Sequence, residues 1–214
     1  MADIFQEVDE EVRREKMHRL WRRYGSYATA AGLVILLAAG GYIAWQKYSE
    51  HREAQRAAAF SAAIGLIADP DPAKAKTAFQ ALSQGSDGIA VLARFRAAAL
   101  QVQAKDETGA VATYDAIAAD GSVPEPFRDA AALLAAMHLV DTADQAEIKR
   151  RLESKTAAPN PWRFTALELL ALSAQRAGDF EQARKIYTQL ADDLETPSGL
   201  RGRSAEMLTA LKEK

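Results

Sequence analysis

Residues 167–187 read LELLALSAQRAGDFEQARKIY and carry the clearest fold signal in the chain. Apolar residues recur at three- and four-residue steps on both sides of Gly178 and Asp179, as in two amphipathic helices joined by a turn. Ala183 and Tyr187 are four residues apart and share one face of the second helix. The small alanine allows a close approach of the first helix, and the ring fills the space beside it. The stretch therefore predicts a closely packed helix pair.

The same spacing of an alanine and an aromatic residue occurs earlier in the chain, at intervals close to 34 residues or twice that. Ala146 fills the missing place, with Arg150 instead of the aromatic. The pattern matches the tetratricopeptide repeat and predicts four helix pairs stacked as an α-solenoid; an irregular helical bundle is the alternative. The three complete matches are Ala75 with Phe79, Ala110 with Tyr114, and Ala183 with Tyr187.

The rest of the chain has the same helical character. About a fifth of the residues are alanine, the best helix former, and only 7% are aromatic, which excludes an all-β protein and predicts an all-α fold. Beyond residue 50, clusters of Pro, Gly and Asp separate Ala- and Leu-rich stretches and predict turns. These clusters are residues 69–72, 85–88, 121–126, 159–161, 178–179 and 197–199.

Residues 24–46 contain no charged side chain, and their centre, residues 27–45, reads YATAAGLVILLAAGGYIAW. A helix of this length spans the roughly 30 Å hydrocarbon core of a bilayer. Tyr and Trp residues stand at both ends, where such rings prefer the headgroup zone. Because a buried helix of a soluble protein rarely runs this far without a charge, we predict a single transmembrane helix over 24–46.

Lysine and arginine are more frequent before the span than after it. The positive-inside rule therefore places residues 1–23 in the cytoplasm and residues 47–214 outside. The acidic beginning of the chain favours an uncleaved signal anchor over a signal peptide. So does the end of the span, because Tyr42-Ile43-Ala44 is bulky where a small-x-small cleavage site needs a small residue. The cations counted are Arg13, Arg14, Lys16, Arg19, Arg22 and Arg23 before the span, and Lys47, Arg52 and Arg56 after it.

The segment before the span predicts a short helix over 3–23, with acids early and bases late. Ile4, Val8 and Val12 recur at helical spacing, so this helix is either a solvated extension or a docking segment for a cytoplasmic or membrane partner. Small residues within the span are common in lone spans but also suit packing against a second span, which leaves a homo-oligomer open. They are Gly25, Ala28, Gly32, Gly40 and Gly41.

Side-chain patterns typical of catalysis are missing from the sequence. The chain has no cysteine, which excludes disulfides and thiolate metal sites. His18, His51 and His138 lack the spacing of metal ligands. Two acid pairs lie in predicted turns or at helix ends, where capping explains them. These pairs are Asp192 with Asp193 and Asp69 with Asp71.

No glycine-rich phosphate loop, nucleophile elbow or nucleotide fingerprint occurs either. The net charge is −2, and bases after the span are scattered among acids, which argues against nucleic-acid binding. We therefore predict that the chain is not an enzyme and has no catalytic residue, metal site or cofactor.

Stacked helix pairs form a superhelix whose first helices line a concave groove that binds peptides or proteins. The predicted register places nine residues in that groove, although several could instead pack against the next repeat. Their mixture of apolar and polar groups suits an extended or partly unfolded polypeptide. They are Leu92, Phe95, Val102, Gln103, Arg128, His138, Glu168, Gln175 and Arg176.

The layout of a short charged segment, one span and a repeat domain resembles the YfgM-like family, an ancillary subunit of the bacterial Sec translocon. The start of the span, WRRYG at residues 21–25, and its end, GYIAWQK at residues 41–47, look like the glycine-then-tryptophan pattern of that family. The resemblance implies an inner-membrane protein whose residues 47–214 form a periplasmic tetratricopeptide repeat-like domain.

By the same resemblance, the partners would be the Sec translocon and membrane-anchored periplasmic folding factors, and the function would be to assist the folding or handover of exported polypeptides. Two other functions stay open from the residues themselves. One is a structural scaffold of an envelope or cell-division complex. The other is a cleaved, freely soluble periplasmic binding protein.

Overall fold

The described part of the chain consists of helices and their connections, which confirms the all-α prediction. The computed structural model describes residues 2–85 and 87–213, and its described side chains are those of residues 14, 17, 18, 21–27, 29, 30, 32–85 and 87–212. The chain divides into two compact units, Met1–Gln55 and Arg56–Lys214.

The first unit belongs to one long helix, α1 (Ala2–Gly65). Within the described residues, one helical stretch, Trp21–Ala68, is long and apolar enough to cross a membrane. Its large apolar side chains are exposed, Leu36 by 72% and Trp45 by 70%. The predicted helix over 3–23 is the beginning of α1, while the apolar face expected from Ile4, Val8 and Val12 lies outside the described side chains.

The second unit begins with the end of α1 and continues through further helices joined by short connections. Each predicted turn cluster lies at a helix boundary, whereas the connections at 104–106 and 140–144 have no Pro or Gly and were not predicted. The helices are α2 (Pro72–Leu82), α3 (Gly88–Gln103), α4 (Glu107–Ala119), α5 (Glu125–Leu139), α6 (Gln145–Leu152), α7 (Arg163–Arg176), α8 (Phe180–Asp192) and α9 (Ser198–Ala210).

The helices form pairs whose second members, α2, α4, α6 and α8, all begin with an aspartate cap. Each carboxylate accepts a hydrogen bond from a backbone N–H of the first turn, at 2.7–3.1 Å. Such a bond satisfies one of the N–H groups that have no partner within a helix. The caps are Asp71, Asp106, Asp144 and Asp179, spaced by 35, 38 and 35 residues.

Close packing within each pair follows the same periodicity. Eight residues before every cap, the first helix carries an alanine that is at most 1% exposed. Four and eight residues after every cap, the second helix carries two buried apolar residues on one face. The buried alanines of the first helices are Ala63, Ala98, Ala136 and Ala171. The facing residues are Ala75 with Phe79, Ala110 with Tyr114, Ile148 with Leu152, and Ala183 with Tyr187.

The predicted register of the third pair is wrong. Ala146 and Arg150, expected at the helix contact, are both exposed, and Ile148 and Leu152 take these positions at 0% exposure. The chain has three more residues between Tyr114 and Ala136 than between Phe79 and Ala98, so an even division of the interval misplaces the contact by two residues.

The corrected register gives a testable difference between two neighbouring positions. Replacing the cap Asp144 by alanine should lower the free energy of unfolding by about 1 kcal/mol, because the Glu147 N–H loses its acceptor. If Ala146 were the contact residue, the cap four residues before it would be Thr142. Thr142→Ala should change the free energy of unfolding by less than about 0.5 kcal/mol. Urea unfolding followed by circular dichroism measures both; equal losses would contradict the register.

Four core clusters hold the second unit together, and each joins a pair to the first helix of the next one. The first cluster contains residues of α1, α2 and α3, the second of α3 to α5, the third of α5 to α7, and the fourth of α7 to α9. In such an array every repeat is stabilised by its neighbours. The helix α9 therefore covers the fourth pair as a following first helix would.

Candidate functional site

The predicted groove residues of α3 lie on one side of that helix. Relative to the buried Ala98, Leu92, Phe95 and Val102 occupy a sector of about 80° at 100° per residue. Leu92 is 42% exposed, whereas Phe95 and Val102 are half-buried against the second core cluster. Gln103, next to this sector, is exposed at the end of the helix.

The predicted residues of α7 occupy equivalent positions, but their polar groups are used within the protein. The Arg203 guanidinium donates to both oxygens of Glu168, at 3.0 and 3.2 Å. Gln175 accepts a hydrogen bond of 3.4 Å from the hydroxyl of Tyr187. Arg176 donates to the backbone carbonyls of Asp141 and Ala143 and so ties α7 to the α5–α6 connection.

The two predicted residues of α5, Arg128 and His138, were placed with the incorrect register of the third pair. The residues of α5 and its end that correspond to Leu92 and Val102 are Ala130 and Val140. Each lies two residues after the predicted one. Arg128 is half-buried, and its Nε is buried without a hydrogen-bond partner among the described residues.

Phe95 and His138 are nevertheless brought together, through the buried ring of Tyr114. The rings of Tyr114 and His138 are stacked, with centroids 6.0 Å apart and planes inclined by 7°. Phe95 contacts the same tyrosine at a centroid distance of 6.0 Å. Burial raises the pKa of the Tyr114 hydroxyl, so the tyrosine stays neutral. The three rings link α3, α4 and α5.

A cleft of about 510 Å³ lies between the ends of α5 and α7. It is lined by Val140, Asp141, Leu172, Gln175 and Arg176, together with residues of the α7–α8 turn. Of its lining residues, Gln175 and Arg176 were predicted as groove residues and the others were not. A second cleft, of about 570 Å³ between α2 and α3, includes Gln103.

Ion pairs connect the first helices α3 and α5 to residues in the connections that follow their partner helices. Asp129 of α5, 6% exposed, accepts hydrogen bonds of 2.6 Å from Lys155 and from Asn160. Arg94 of α3 pairs with Asp120 at 2.7 Å. Hydrogen bonds from Ser122 and from Arg94 lower the pKa of Asp120 to about 2, so this carboxylate stays charged and bound in neutral solution.

Three of the four acids considered for catalysis act in local structure. Asp71 caps α2, Asp69 binds Lys74 at 3.0 Å, and Asp193 accepts the N–H of Glu195. Within the described residues, no group of three or more His, Asp or Glu side chains could hold a metal ion. The exposed side chains of α3, α5 and α7 are therefore available for noncovalent contact with a partner.

Met137, Val140 and Leu172 are larger apolar residues of this face that are exposed or half-buried and were not predicted. The aspartate caps supply the signal that would have found them. Counting back from Asp144 and Asp179 places the buried alanines at Ala136 and Ala171, and hence the adjacent Met137 and Leu172 on the same face.

Comparison with known families gives a match to the tetratricopeptide repeat-like domain over residues 18–203. Comparisons with curated proteins and with solved structures give no match. The matched residues extend from α1 into α9 and include all four helix pairs with their aspartate caps. The chain therefore belongs to the tetratricopeptide repeat-like domain family.

Proposed function

We propose that this chain is a membrane-anchored protein-interaction module of the bacterial envelope. Residues 24–46 would span the inner membrane, residues 1–23 would lie in the cytoplasm, and residues 47–214 would form the periplasmic interaction domain. The observation that carries the proposal is the family match, because residues 18–203 take in both the apolar helix and the helix pairs. Arrays of this kind use their first helices as protein-binding surfaces.

The partner we propose is the Sec translocon, together with membrane-anchored periplasmic folding factors. The support is the resemblance to the YfgM-like family in the layout of the chain and in the sequences flanking the span. In this function the domain assists the folding or handover of polypeptides that emerge from the translocon.

Affinity purification from membranes in a mild detergent tests the partner. Translocon subunits should co-purify with the intact chain, and their absence would refute the proposed partner. The localisation of a fluorescent fusion gives an independent answer. Distribution over the whole membrane fits the translocon, whereas concentration at the septum would favour a scaffold of the division complex.

The natural absence of cysteine makes the proposed topology directly testable. His18 and Glu206 are exposed, so single His18→Cys and Glu206→Cys variants provide one thiol on each side of the span. In intact spheroplasts, a membrane-impermeant maleimide should label the cysteine at 206 and not the one at 18. The reverse pattern would overturn the orientation, and N-terminal sequencing would reveal a cleaved chain.

A further inference from the structure

The connections that follow the second helices α2, α4, α6 and α8 form one edge of the second unit, which we call the entry edge. Arg94 joins the first two connections, because its guanidinium donates to the Ser83 carbonyl at 3.2 Å and to the Asp120 carboxylate at 2.7 Å. Trp162 joins the second and the third through its indole N–H, which donates to the Pro126 carbonyl at 2.9 Å. The four connections are residues 83–87, 120–124, 153–162 and 193–197.

The entry edge exposes large apolar side chains. Phe127 and Trp162 are 43% and 37% exposed, and each lies 17 residues before the aspartate cap of its helix pair, so the two rings occupy equivalent places in successive repeats. Leu194 is 87% exposed, and its neighbour Glu195 pairs with Arg163, the residue after Trp162. Exposed apolar side chains grouped in this way mark a surface that contacts a partner or a membrane.

The polar groups beside these side chains permit contact with an apolar phase. The N–H of Trp162 already has its acceptor, and the side chains of Phe127 and Leu194 have no polar atom. The edge is also rich in proline, which has no backbone N–H that would lose its water. The exposed prolines are Pro124, Pro126, Pro159, Pro161 and Pro197.

Most charges of the entry edge are paired. Among the described residues of the four connections, Asp193 is the one charged residue without an ion-pair partner. In the helical turns that adjoin these connections, the acids Glu125 and Asp192 and the bases Arg128 and Arg201 have no ion-pair partner among the described residues. The free charges nearly balance, so the edge has no strong attraction to a surface of either sign.

The chain that comes from the proposed span enters the second unit at this edge. The second unit begins at Arg56, whose guanidinium donates to the carbonyls of Leu82 and Gln84 at 3.0 and 3.2 Å and pairs with Asp87. Arg56 lies ten residues after the end of the span at residue 46, and ten residues reach at most roughly 35 Å. A tether this short gives the edge a high effective concentration at the bilayer surface, so even a weak contact is populated.

We propose that the entry edge docks on the surface of the membrane that anchors the chain, with Phe127, Trp162 and Leu194 inserted among zwitterionic headgroups. Aromatic rings such as that of Trp favour this zone, and apolar side chains gain free energy there by leaving water. Zwitterionic headgroups carry both charges and no net charge, so they suit an edge whose free acids and bases nearly balance. This inference rests on the membrane anchor of the proposed function and adds a second contact with the same membrane.

Quenching by brominated lipid tests the contact. The full chain with Trp21→Phe and Trp45→Phe keeps Trp162 as the remaining tryptophan of three, and one chain is reconstituted in each phosphatidylcholine nanodisc. Replacing this lipid by one that is brominated near the headgroup end of its acyl chains should lower the emission of Trp162. Equal emission in the two lipids would overturn the proposal. So would a loss that occurs only after the anionic lipid phosphatidylglycerol is added.

A tryptophan at the other end of α5 is the matched control. Thr142→Trp, combined with Trp162→Phe in the same background, places the ring in the α5–α6 connection. Thr142 is exposed, so the substitution should be tolerated, and the emission should be the same in both lipids. Equal quenching of the two tryptophans would mean that the domain contacts the bilayer without a preferred edge, contrary to the proposal.

Substitutions locate the docking residues. Phe127→Ser with Leu194→Ser removes two of the three apolar side chains and should shift the docking equilibrium at least about tenfold toward the undocked domain, measured as recovered Trp162 emission. The control pair is Ile67→Ser with Met137→Ser, whose side chains are 38% and 50% exposed outside the entry edge; it should leave the quenching unchanged. All four positions are exposed, so helical content and melting temperature should stay the same. Recovery with the control pair, or none with the edge pair, would contradict the assignment.

The outcomes also separate this inference from the proposed function. If translocon subunits co-purify with the chain but Trp162 is not quenched, the proposed function stands and the docking fails. If Trp162 is quenched but no translocon subunit co-purifies, the docking stands and the proposed partner fails. A chain that washes off membranes at alkaline pH has no anchor, and this result would overturn both.

Discussion

Replacing Tyr187 by alanine should lower the free energy of unfolding by about 3–5 kcal/mol, the usual cost of removing a large aromatic side chain from a core. Tyr187 is 2% exposed and lies in the fourth core cluster between α7, α8 and α9. Burial, and then the charge of Glu168, raise the pKa of its hydroxyl to about 12, so the hydroxyl stays protonated in neutral solution. Urea unfolding of the chain in detergent micelles, followed by circular dichroism, measures the loss.

Tyr187→Phe is the control for the cavity. It keeps the ring and removes a hydroxyl whose hydrogen bond to Gln175 is long, at 3.4 Å. The expected loss is less than about 1 kcal/mol, because Gln175 is half-buried and can bind water instead. Equal losses for the two variants would mean that the hydrogen bond, and not the packing of the ring, stabilises the fourth pair.

Replacing Asp129 by alanine should cost about 3 kcal/mol, at the lower end of the range for breaking a buried ion pair. Its carboxylate binds Lys155 and Asn160, both at 2.6 Å, and the side chains of Asp129 and Lys155 are 8% and 17% exposed. Without the carboxylate, a mostly buried ammonium group remains unpaired. The small residual exposure of Lys155 keeps the penalty from being larger.

The fluorescence of Trp162 measures the effect of Asp129→Ala on unfolding. Its indole N–H donates to the carbonyl of Pro126 at 2.9 Å and so connects the beginnings of α5 and α7. In a Trp21→Phe, Trp45→Phe background it is the remaining tryptophan of three. Asp129→Ala should shift its fluorescence transition to lower urea concentration.

Two further variants give the physical reason for the loss at Asp129. Adding Lys155→Met to Asp129→Ala should restore much of the stability, because no unpaired charge is then left buried. Arg203→Ala removes a pair whose arginine side chain is 60% exposed, and it should cost less than about 1 kcal/mol. If the double variant were no more stable than Asp129→Ala alone, the desolvated ammonium would not be the cause.

Most of the fold was accessible from local sequence patterns. The pattern of Ala183 and Tyr187 after Gly178 and Asp179 predicts the fourth pair correctly, because each of its signals is local. Gly178 has a φ of +81° in the turn, a left-handed conformation that glycine adopts without strain. Asp179 caps the following helix three residues before the N–H that it binds.

The third pair shows where a fixed period misleads. The additional residues between Tyr114 and Ala136 shift the pair without changing its internal spacing, and the abundance of alanine offered Ala146 as a false match. In every pair the two buried contact residues of the second helix lie four and eight residues after the aspartate cap, because the cap marks the first turn of that helix. The aspartate caps therefore locate the repeats more accurately than the alanines do.

Local sequence patterns predict the helical class, the uncharged stretch over 24–46 and the spacing of contact residues within a helix pair, since these depend on side chains close together in the chain. Which polar residues of the first helices remain available to a partner depends instead on the packing of neighbouring repeats. The Glu168 carboxylate is paired with an arginine 35 residues away. The Arg176 guanidinium donates to carbonyls 33 and 35 residues before it. No local pattern contains such pairings, because they arise only when the neighbouring repeats are packed side by side.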